Sequence, residues 1–179
     1  FIKHWTENLF SFRITRPASF RFRSGEFVMI GLPNDEGKPI LRAYSIASPS
    51  WSDELEFYSI IVKDGPLTSK LKDIKINDDI VMMPKPTGTL VLDALKPGKR
   101  LFLLSSGTGF APFASLIKEP ETYEKFEQIV VTHTCRTVDE LNYSKETIKN
   151  CFEDDIVKEF ISNKLITYHS TTRENYTNK

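Results

Sequence analysis

Apolar and polar residues first alternate in short runs. "LFSFRITRP" (9–17) alternates and stops at Pro17, and "EFVMIGLP" (26–33) is a mostly apolar run after the "RSGE" turn. "LRAYSIAS" (41–48), "LEFYSIIVK" (55–63), "DDIVMMP" (78–84) and "GTLVL" (88–92) follow at close spacing. Short strand-like runs with turn punctuation, and almost no helical periodicity, predict a small antiparallel barrel. The exception is "GPLTSKLKD" (65–73). There Gly65 opens a short helical turn, with Pro66 suited to its first position.

After the turn "LKPGKR" (95–100) the pattern changes. "RLFLLSS" (100–106) is a continuous apolar strand, and "GTGFAPFASLIKEP" (107–120) turns into a helix. "FEQIVVTHTC" (126–135) is a second buried strand, and "TVDELNYSKETIKNCFEDDIVKEFISN" (137–163) is helical with an acidic exposed face. "KLITYHSTT" (164–172) is a third strand. Strand, helix, strand, helix, strand predicts a parallel doubly wound sheet, here with three strands. Residues 1–96 are therefore expected to form an antiparallel barrel, and residues 97–179 an incomplete α/β domain.

Composition narrows the function classes. With 24 basic and 24 acidic residues the formal net charge is zero, so no global field favours nucleic acid or an anionic membrane. No apolar run spans a bilayer. The opening "FIKHWTENLF" mixes charge with aromatics, unlike a signal peptide, and begins on Phe1, so a segment of a longer chain is expected. Cys135 and Cys151 form no CxxC, which predicts a reduced, cytoplasmic protein. His4, His133 and His169 are scattered and no two sit at metal-ligand spacing, so structural roles and no metal are expected.

Three stretches carry candidate chemistry. In "SSGTGFAP" (105–112), Gly107 and Gly109 permit a tight turn between a buried strand and a helix. Such a turn presents N–H groups to an anion such as a pyrophosphate. Pro112 stands where a GxGxxG fingerprint has its third glycine, and a simple tight connection is the alternative. In "KDGPLTSKL" (63–71), the N–H groups of Leu67, Thr68 and Ser69 are expected unpaired at a helix start, with two hydroxyls beside them. The alternative is a capped surface helix.

In "RAYS" (42–45), Arg42 and Tyr44 share one strand face. If Ala43 and Ala47 face a core, that pair faces a ligand. Guanidinium suits a diphosphate, and tyrosine suits an aromatic ring system. Strict alternation points Ser45 away, so a bend or bulge is expected there. An Arg–carboxylate pair with a half-buried tyrosine is the alternative.

"RAYSIAS", "EFYSIIVKDGPLTSKL", "KPTGTLVLD" and "LLSSGTGFAPFASLIKEPETYEKFEQIVVTHTCR" occur in one order. In this the chain resembles the bacterial type of ferredoxin/flavodoxin–NADP reductase, from about "HWTENLFSFRITRP" to "STTRE". The resemblance implies an FAD-binding barrel followed by an NADP-binding domain. It gives Arg42 the FAD pyrophosphate, Tyr44 the isoalloxazine ring and Ser45 the region of flavin N5, making Tyr44 and Ser45 the catalytic candidates. Tyr58, Ser59, Ile60 and Val62 would line the flavin edge. Gly65 would open the turn whose Leu67, Thr68 and Ser69 bind phosphate. Gly107, Thr108 and Gly109 would border the nicotinamide and its diphosphate. Arg136 and Arg173 would meet the 2′-phosphate of NADP, consistent with arginine accommodating that group; solvated surface arginines are the alternative.

The implied activity passes electrons between NADPH, which gives hydride to FAD N5, and ferredoxin or flavodoxin. The resemblance also implies that the last strands and the C-terminal segment over the flavin are absent. A monomer is expected. The basic cluster Arg13, Arg16, Arg21 and Arg23 could steer an acidic carrier, or could be a solvated strand and turn. Other readings are a flavin-containing reductase component of an oxygenase, a diaphorase, or a non-enzymatic flavin-binding barrel. No CxxxxCxxC cluster motif is present.

Overall fold

A computed structural model describes residues 1–34, 36–161 and 163–178. The first part contains β1 (Ile2–His4), β2 (Leu9–Thr15), β3 (Phe27–Pro33), β4 (Pro39–Ser45), β5 (Glu54–Ile60), α1 (Thr68–Leu71) and β6 (Val81–Met82). These strands form two antiparallel sheets, β1-β2-β5 and β4-β3-β6, bridged where Ile46 meets Phe57. Their inner faces enclose an apolar core containing Phe10, Phe12, Ile30, Leu55 and Phe57. The arrangement is the barrel-like one expected.

The second part contains β7 (Gly98–Ser106), α2 (Ala111–Leu116), α3 (Pro120–Lys125), β8 (Phe126–Cys135), α4 (Asn142–Glu153), α5 (Lys158–Ile161) and β9 (Leu165–Thr171). Strands β7, β8 and β9 pair in parallel, in that order. One face of this sheet, with Leu101, Leu103, Ile129 and Val131, packs into a core shared with the helices. Among the described residues, Phe102, Leu104 and Tyr168 on the other face remain exposed, although parallel sheets are ordinarily covered on both faces.

Several elements depart from the pattern read along the chain. "GTLVL" is not a strand: Thr87 makes a single bridge to Phe27, and a 3₁₀ turn occupies Leu92–Ala94. Gly88, at φ 139°, suits that break from extended backbone. Pro66 lies before the α1 N-cap, Leu67, rather than at the first helical position. The expected helix 137–163 is a 3₁₀ turn (Asp139–Leu141), α4 and α5, interrupted at Asp154, whose backbone is extended; Ser162 lies outside the described residues. Strand β1 and helix α3 were not anticipated. Over 137–163 the exposed charges are Asp139, Glu146, Glu153, Asp155 and Glu159 against Lys149 and Lys158, so the exposed face is acidic on balance.

The adjoining parts of β2 and β5, Leu9–Phe12 and Leu55–Ser59, are buried on both sides. Phe10, Phe12, Leu55 and Phe57 face the barrel-like core, while Leu9 and Tyr58 face the core of the parallel sheet. Tyr58 stacks on Tyr143 of α4, with ring centroids 4.0 Å apart. The Tyr143 hydroxyl donates to the buried Glu56 carboxylate at 3.2 Å, and Lys118 lies 3.6 Å from the same carboxylate. Glu119 accepts from Ser24 Oγ at 2.5 Å and from the Ser50 N–H at 2.7 Å. Ser115 Oγ donates to the Ser48 carbonyl at 2.7 Å.

The four N-terminal arginines are engaged inside the first part. Arg13 faces Glu54 and Glu56, and Arg23 pairs with Glu26 and Asp93. Arg16 donates to the carbonyls of Phe20, Ser50 and Ser52, and Arg21 to those of Ala18 and Phe20. They fasten the strands and turns they sit on. No helix among the described residues is long and apolar enough to cross a membrane.

Glu119→Ala removes the acceptor of the Ser24 hydroxyl and one of two acceptors of the Ser50 N–H, which keeps only Ser24 Oγ at 3.0 Å. A loss of about 1–3 kcal/mol in urea unfolding is expected. Lys38→Ala breaks an exposed pair with Glu36 and should change stability by less than about 0.5 kcal/mol. Equal effects of the two variants would contradict this account.

Candidate functional site

A cleft of about 520 Å³ runs along the free edge of β4. Its first wall is Arg42, Tyr44 and Ser45 from β4 with Tyr58, Ser59 and Ile60 from β5. Its floor is Val62, Gly65, Leu67 and Thr68, around the start of α1. Its far wall is Thr108 and Gly109, from the turn that follows β7. Ala43, Pro66 and Ala111 complete the lining and were not anticipated.

The expectation for Ala43 is overturned. Tyr44 pairs with Val28, and Arg42 with Ile30. Directly paired residues share a sheet face, so Tyr44 and Arg42 lie on the side of the buried Val28 and Ile30. Ala47 is buried, but Ala43 is exposed and lines the cleft. Residues from both faces reach one cleft because β4 is the edge of its sheet. Ser45 joins them in the same way. Its pairing with Phe27 is regular, and the chain changes partner only at the next residue, where Ile46 bridges Phe57. No bulge at Ser45 is needed.

Arg42 donates to the carbonyl of Leu41 at 2.8 Å, and among the described residues it has no carboxylate partner. The exposed guanidinium thus keeps donors for a ligand. Tyr44 bonds Ser59 Oγ through its hydroxyl at 3.0 Å and meets Phe57 edge-on. Burial pushes its pKa up, so the phenol stays neutral; Ser59 and Arg42 only partly offset this. Tyr58 is 97% buried by its 3% exposure, and its hydroxyl is the buried side-chain polar atom left without a partner among the described residues. Burial, then Cys135 and Glu140, raise its pKa.

At the start of α1 the expectation of three unpaired N–H groups needs correction. The Ser69 N–H donates to the Gly65 carbonyl at 3.1 Å, and its hydroxyl donates to the same oxygen at 2.6 Å. Ser69 does not line the cleft. Thr68 Oγ1 accepts from the Val62 N–H at 3.1 Å. Leu67 and Thr68 remain; among the described residues their N–H groups have no backbone acceptor.

Gly107 adopts φ 50°, the left-handed turn that favours glycine, and lies just behind the far wall. Arg136 and Arg173 are elsewhere, at the carboxyl ends of β8 and β9. The Arg173 N–H donates to the Arg136 carbonyl at 2.9 Å, so the two residues sit side by side, both exposed. Glu140 accepts from the Arg136 N–H at 2.7 Å.

Residues 4–92 match the oxidoreductase FAD-binding domain family. The chain is 60% identical over 175 residues to the flavodoxin/ferredoxin–NADP reductase of Rhodobacter capsulatus, covering 98% of this chain and 65% of that protein. It is 49% identical over 178 residues to the ferredoxin–NADP reductase of Azotobacter vinelandii, covering 99% of this chain and 69% of the relative. The chain belongs to the ferredoxin/flavodoxin–NADP reductase family. Its fold is similar to a ferredoxin NADP+ reductase from Neisseria gonorrhoeae solved with bound FAD and NADP. There the TM-score is 0.86 and the identity 29%, over 98% of this chain and 67% of the other. The chain thus spans about two thirds of the length of these reductases.

The parallel-sheet part of this reductase-family chain holds buried titratable groups that sequence spacing did not connect. Burial lowers the pKa of His133, against the raising effects of Gly107 and Glu140. Burial, then His133 and Lys145, lower His169 from 6.5 to about 4. Burial pushes the Cys135 and Cys151 thiols up to about 11. Among the described residues no group of His, Cys, Asp and Glu is arranged to hold a metal ion.

Two outcomes follow. A depressed histidine pKa means the unfolded chain takes up the proton first, so stability is full above about pH 6.5 and falls as pH drops towards about 4. The urea midpoint should decline across that window, and less steeply in His169→Gln; an unchanged slope in the variant would count against it. Iodoacetamide at pH 8 should label the native thiols at least about a hundredfold more slowly than the urea-unfolded ones.

Proposed function

We propose that this protein is a flavoprotein oxidoreductase that passes electrons between NADPH and a one-electron carrier, ferredoxin or flavodoxin, using FAD. Residues 1–96 would hold FAD and residues 97–179 would receive NADP(H). The observation that carries this reading is the single cleft joining the Arg42–Ser45 edge, the α1 turn and the Thr108–Gly109 turn. Its volume falls in the ordinary range for small-molecule sites. Its lining fits FAD: an exposed arginine without a carboxylate partner and two open N–H groups suit a diphosphate, while Tyr44 suits a ring system.

When bound, FAD supplies the exchange between a two-electron donor and one-electron carriers. Arg42 and the Leu67 and Thr68 N–H groups would hold the diphosphate. Tyr44, kept neutral and oriented by Ser59, would pack on the ring, and Ser45 would offer it a hydroxyl. Tyr58, Ser59, Ile60 and Val62 close the edge, and Gly65 shapes the turn beneath. Thr108 and Gly109 face the nicotinamide side and help exclude water. Arg136 and Arg173, adjacent at the ends of β8 and β9, supply positive charge for the 2′-phosphate of NADP(H). The supporting likeness is that the Neisseria gonorrhoeae relative was solved with FAD and NADP, and that the relatives are named for ferredoxin and flavodoxin. A cytoplasmic monomer with reduced thiols completes the proposal.

The purified protein should be yellow, and NADPH should bleach the flavin bands under anaerobic conditions. Arg42→Ala should weaken FAD binding about 10–100-fold, the worth of a charge-assisted diphosphate contact. Ferredoxin, flavodoxin and a quinone assayed side by side distinguish the carrier. A preference for quinone alone would indicate a diaphorase, and a colourless protein that takes up no FAD would refute the reading.

A further inference from the structure

Three buried side chains from three elements meet behind the Gly107–Gly109 turn. His133, on β8, places Nε2 2.9 Å from the Gly107 carbonyl and Nδ1 2.7 Å from Ser144 Oγ. Ser144, on α4, lies 3.1 Å from His169 Nε2, on β9. His133 is 1% exposed and Ser144 is fully buried, so water does not replace these bonds.

The directions of the bonds can be worked out. A carbonyl only accepts, so the neutral His133 carries its proton on Nε2 and donates it to Gly107. Its Nδ1 is then an acceptor facing the Ser144 hydroxyl, whose single proton also has the Leu141 carbonyl within reach. The Ser144 oxygen is left to accept from His169, which therefore carries its proton on Nε2. The remaining neighbours agree. Cys135 Sγ lies 3.3 Å from His133 Nε2 and directs its thiol proton to the Glu140 carbonyl, leaving sulfur lone pairs towards the imidazole N–H. Phe110 stacks on the His133 ring at 5.0 Å, which fixes the plane of the imidazole. The one Ser144 hydroxyl proton is shared between His133 Nδ1 and the Leu141 carbonyl, 3.0 Å from Ser144 Oγ, and in either position the serine oxygen accepts from His169.

The geometry points to His133 as a positioning residue for the Gly107–Gly109 turn, with Ser144 and His169 fixing its tautomer. This rests on the reading of that turn as part of the seat for a pyridine nucleotide. Gly107 gains nothing from space, since a Cβ there would meet no atom within 4 Å; what the turn requires is its left-handed backbone. The His133 bond holds the Gly107 carbonyl on the protein side, so that the peptides of Thr108 and Gly109 face the cleft. The predicted consequence is selective. A ligand that uses the turn should depend on His133, and one that reaches only the Arg136–Arg173 end should not.

The test uses the full chain with FAD present. Imidazole ¹⁵N shifts near neutral pH should report the Nε2–H tautomer for both His133 and His169. An Nδ1–H tautomer or an imidazolium at His133 would overturn the proposal. NADP+ and adenosine 2′,5′-bisphosphate, which lacks the nicotinamide half, are then titrated against variants. His133→Leu should weaken NADP+ about tenfold and the bisphosphate less than about twofold, while His133→Gln, which keeps an N–H donor, should stay within about threefold of the parent. Equal weakening of both ligands, or none, overturns the positioning role. Should His133→Leu fail to fold, Ser144→Ala takes its place, with a mixed His133 tautomer and a weakening of NADP+ alone expected. If the parent binds neither nucleotide, the pyridine nucleotide reading fails by itself. The positioning role is then decided by amide exchange at Thr108 and Gly109, which should quicken in the His133 and Ser144 variants; unchanged exchange refutes it.

Discussion

The stacking of Tyr143 on Tyr58, with the Tyr143 hydroxyl on Glu56, is the contact on which the cleft depends. One wall of the cleft comes from strands of the two antiparallel sheets and the other from a turn of the parallel sheet. Neither wall makes a site alone. Their spacing is set where α4 presses a fully buried tyrosine against β5, and Tyr58 is itself part of the wall. Offset aromatic stacking favours a narrow range of separations, and the hydroxyl bond to a carboxylate restricts rotation of the ring. The two halves are thereby held at one spacing.

The polar part of this interface follows from what is buried. Glu56 carries a carboxylate into the junction, and an unpaired charge there would be costly. Tyr143, Lys118 and Arg13 surround it. Lys118 also donates to the Ala47 carbonyl at 3.3 Å, and Glu119 next to it accepts from Ser24 and Ser50. These bonds span the short stretch that follows β4, where the chain leaves one sheet for the other. The segment that presents Arg42, Tyr44 and Ser45 is thus anchored at its carboxyl end by the second part of the molecule.

Much of this was legible along the chain. The β7, β8 and β9 runs are long, apolar and separated by helical segments, which suffices for a parallel sheet. The cleft residues on β4 and around α1 announced themselves by chemical type: an arginine two residues from a tyrosine within a strand, and hydroxyls after Gly-Pro; those on β5 came only from the resemblance to the reductase family. Misreadings fell where a local signal competes with a distant contact. "GTLVL" has β-forming residues, but Phe27 accepts a partner only at Thr87, so the run does not extend as a strand. Ala43 was assigned by alternation, which assumes that one face is the core; at a sheet edge both faces meet the same cleft. Ser69 was counted among open donors, yet the Gly65 carbonyl lies within its reach.

Local periodicity and residue type determined the two folding patterns, their order and the chemistry-bearing stretches around Arg42, Leu67 and Gly107, because these depend on interactions between near neighbours. Tertiary structure alone decided how the two parts are spaced, that Arg136 and Arg173 lie together, and that His133, Ser144 and His169 form one chain of bonds. The last three are separated by 11 and 25 residues. No period of strand or helix relates such positions; only the parallel pairing of β8 with β9, and the packing of α4 across them, brings the side chains within bonding distance.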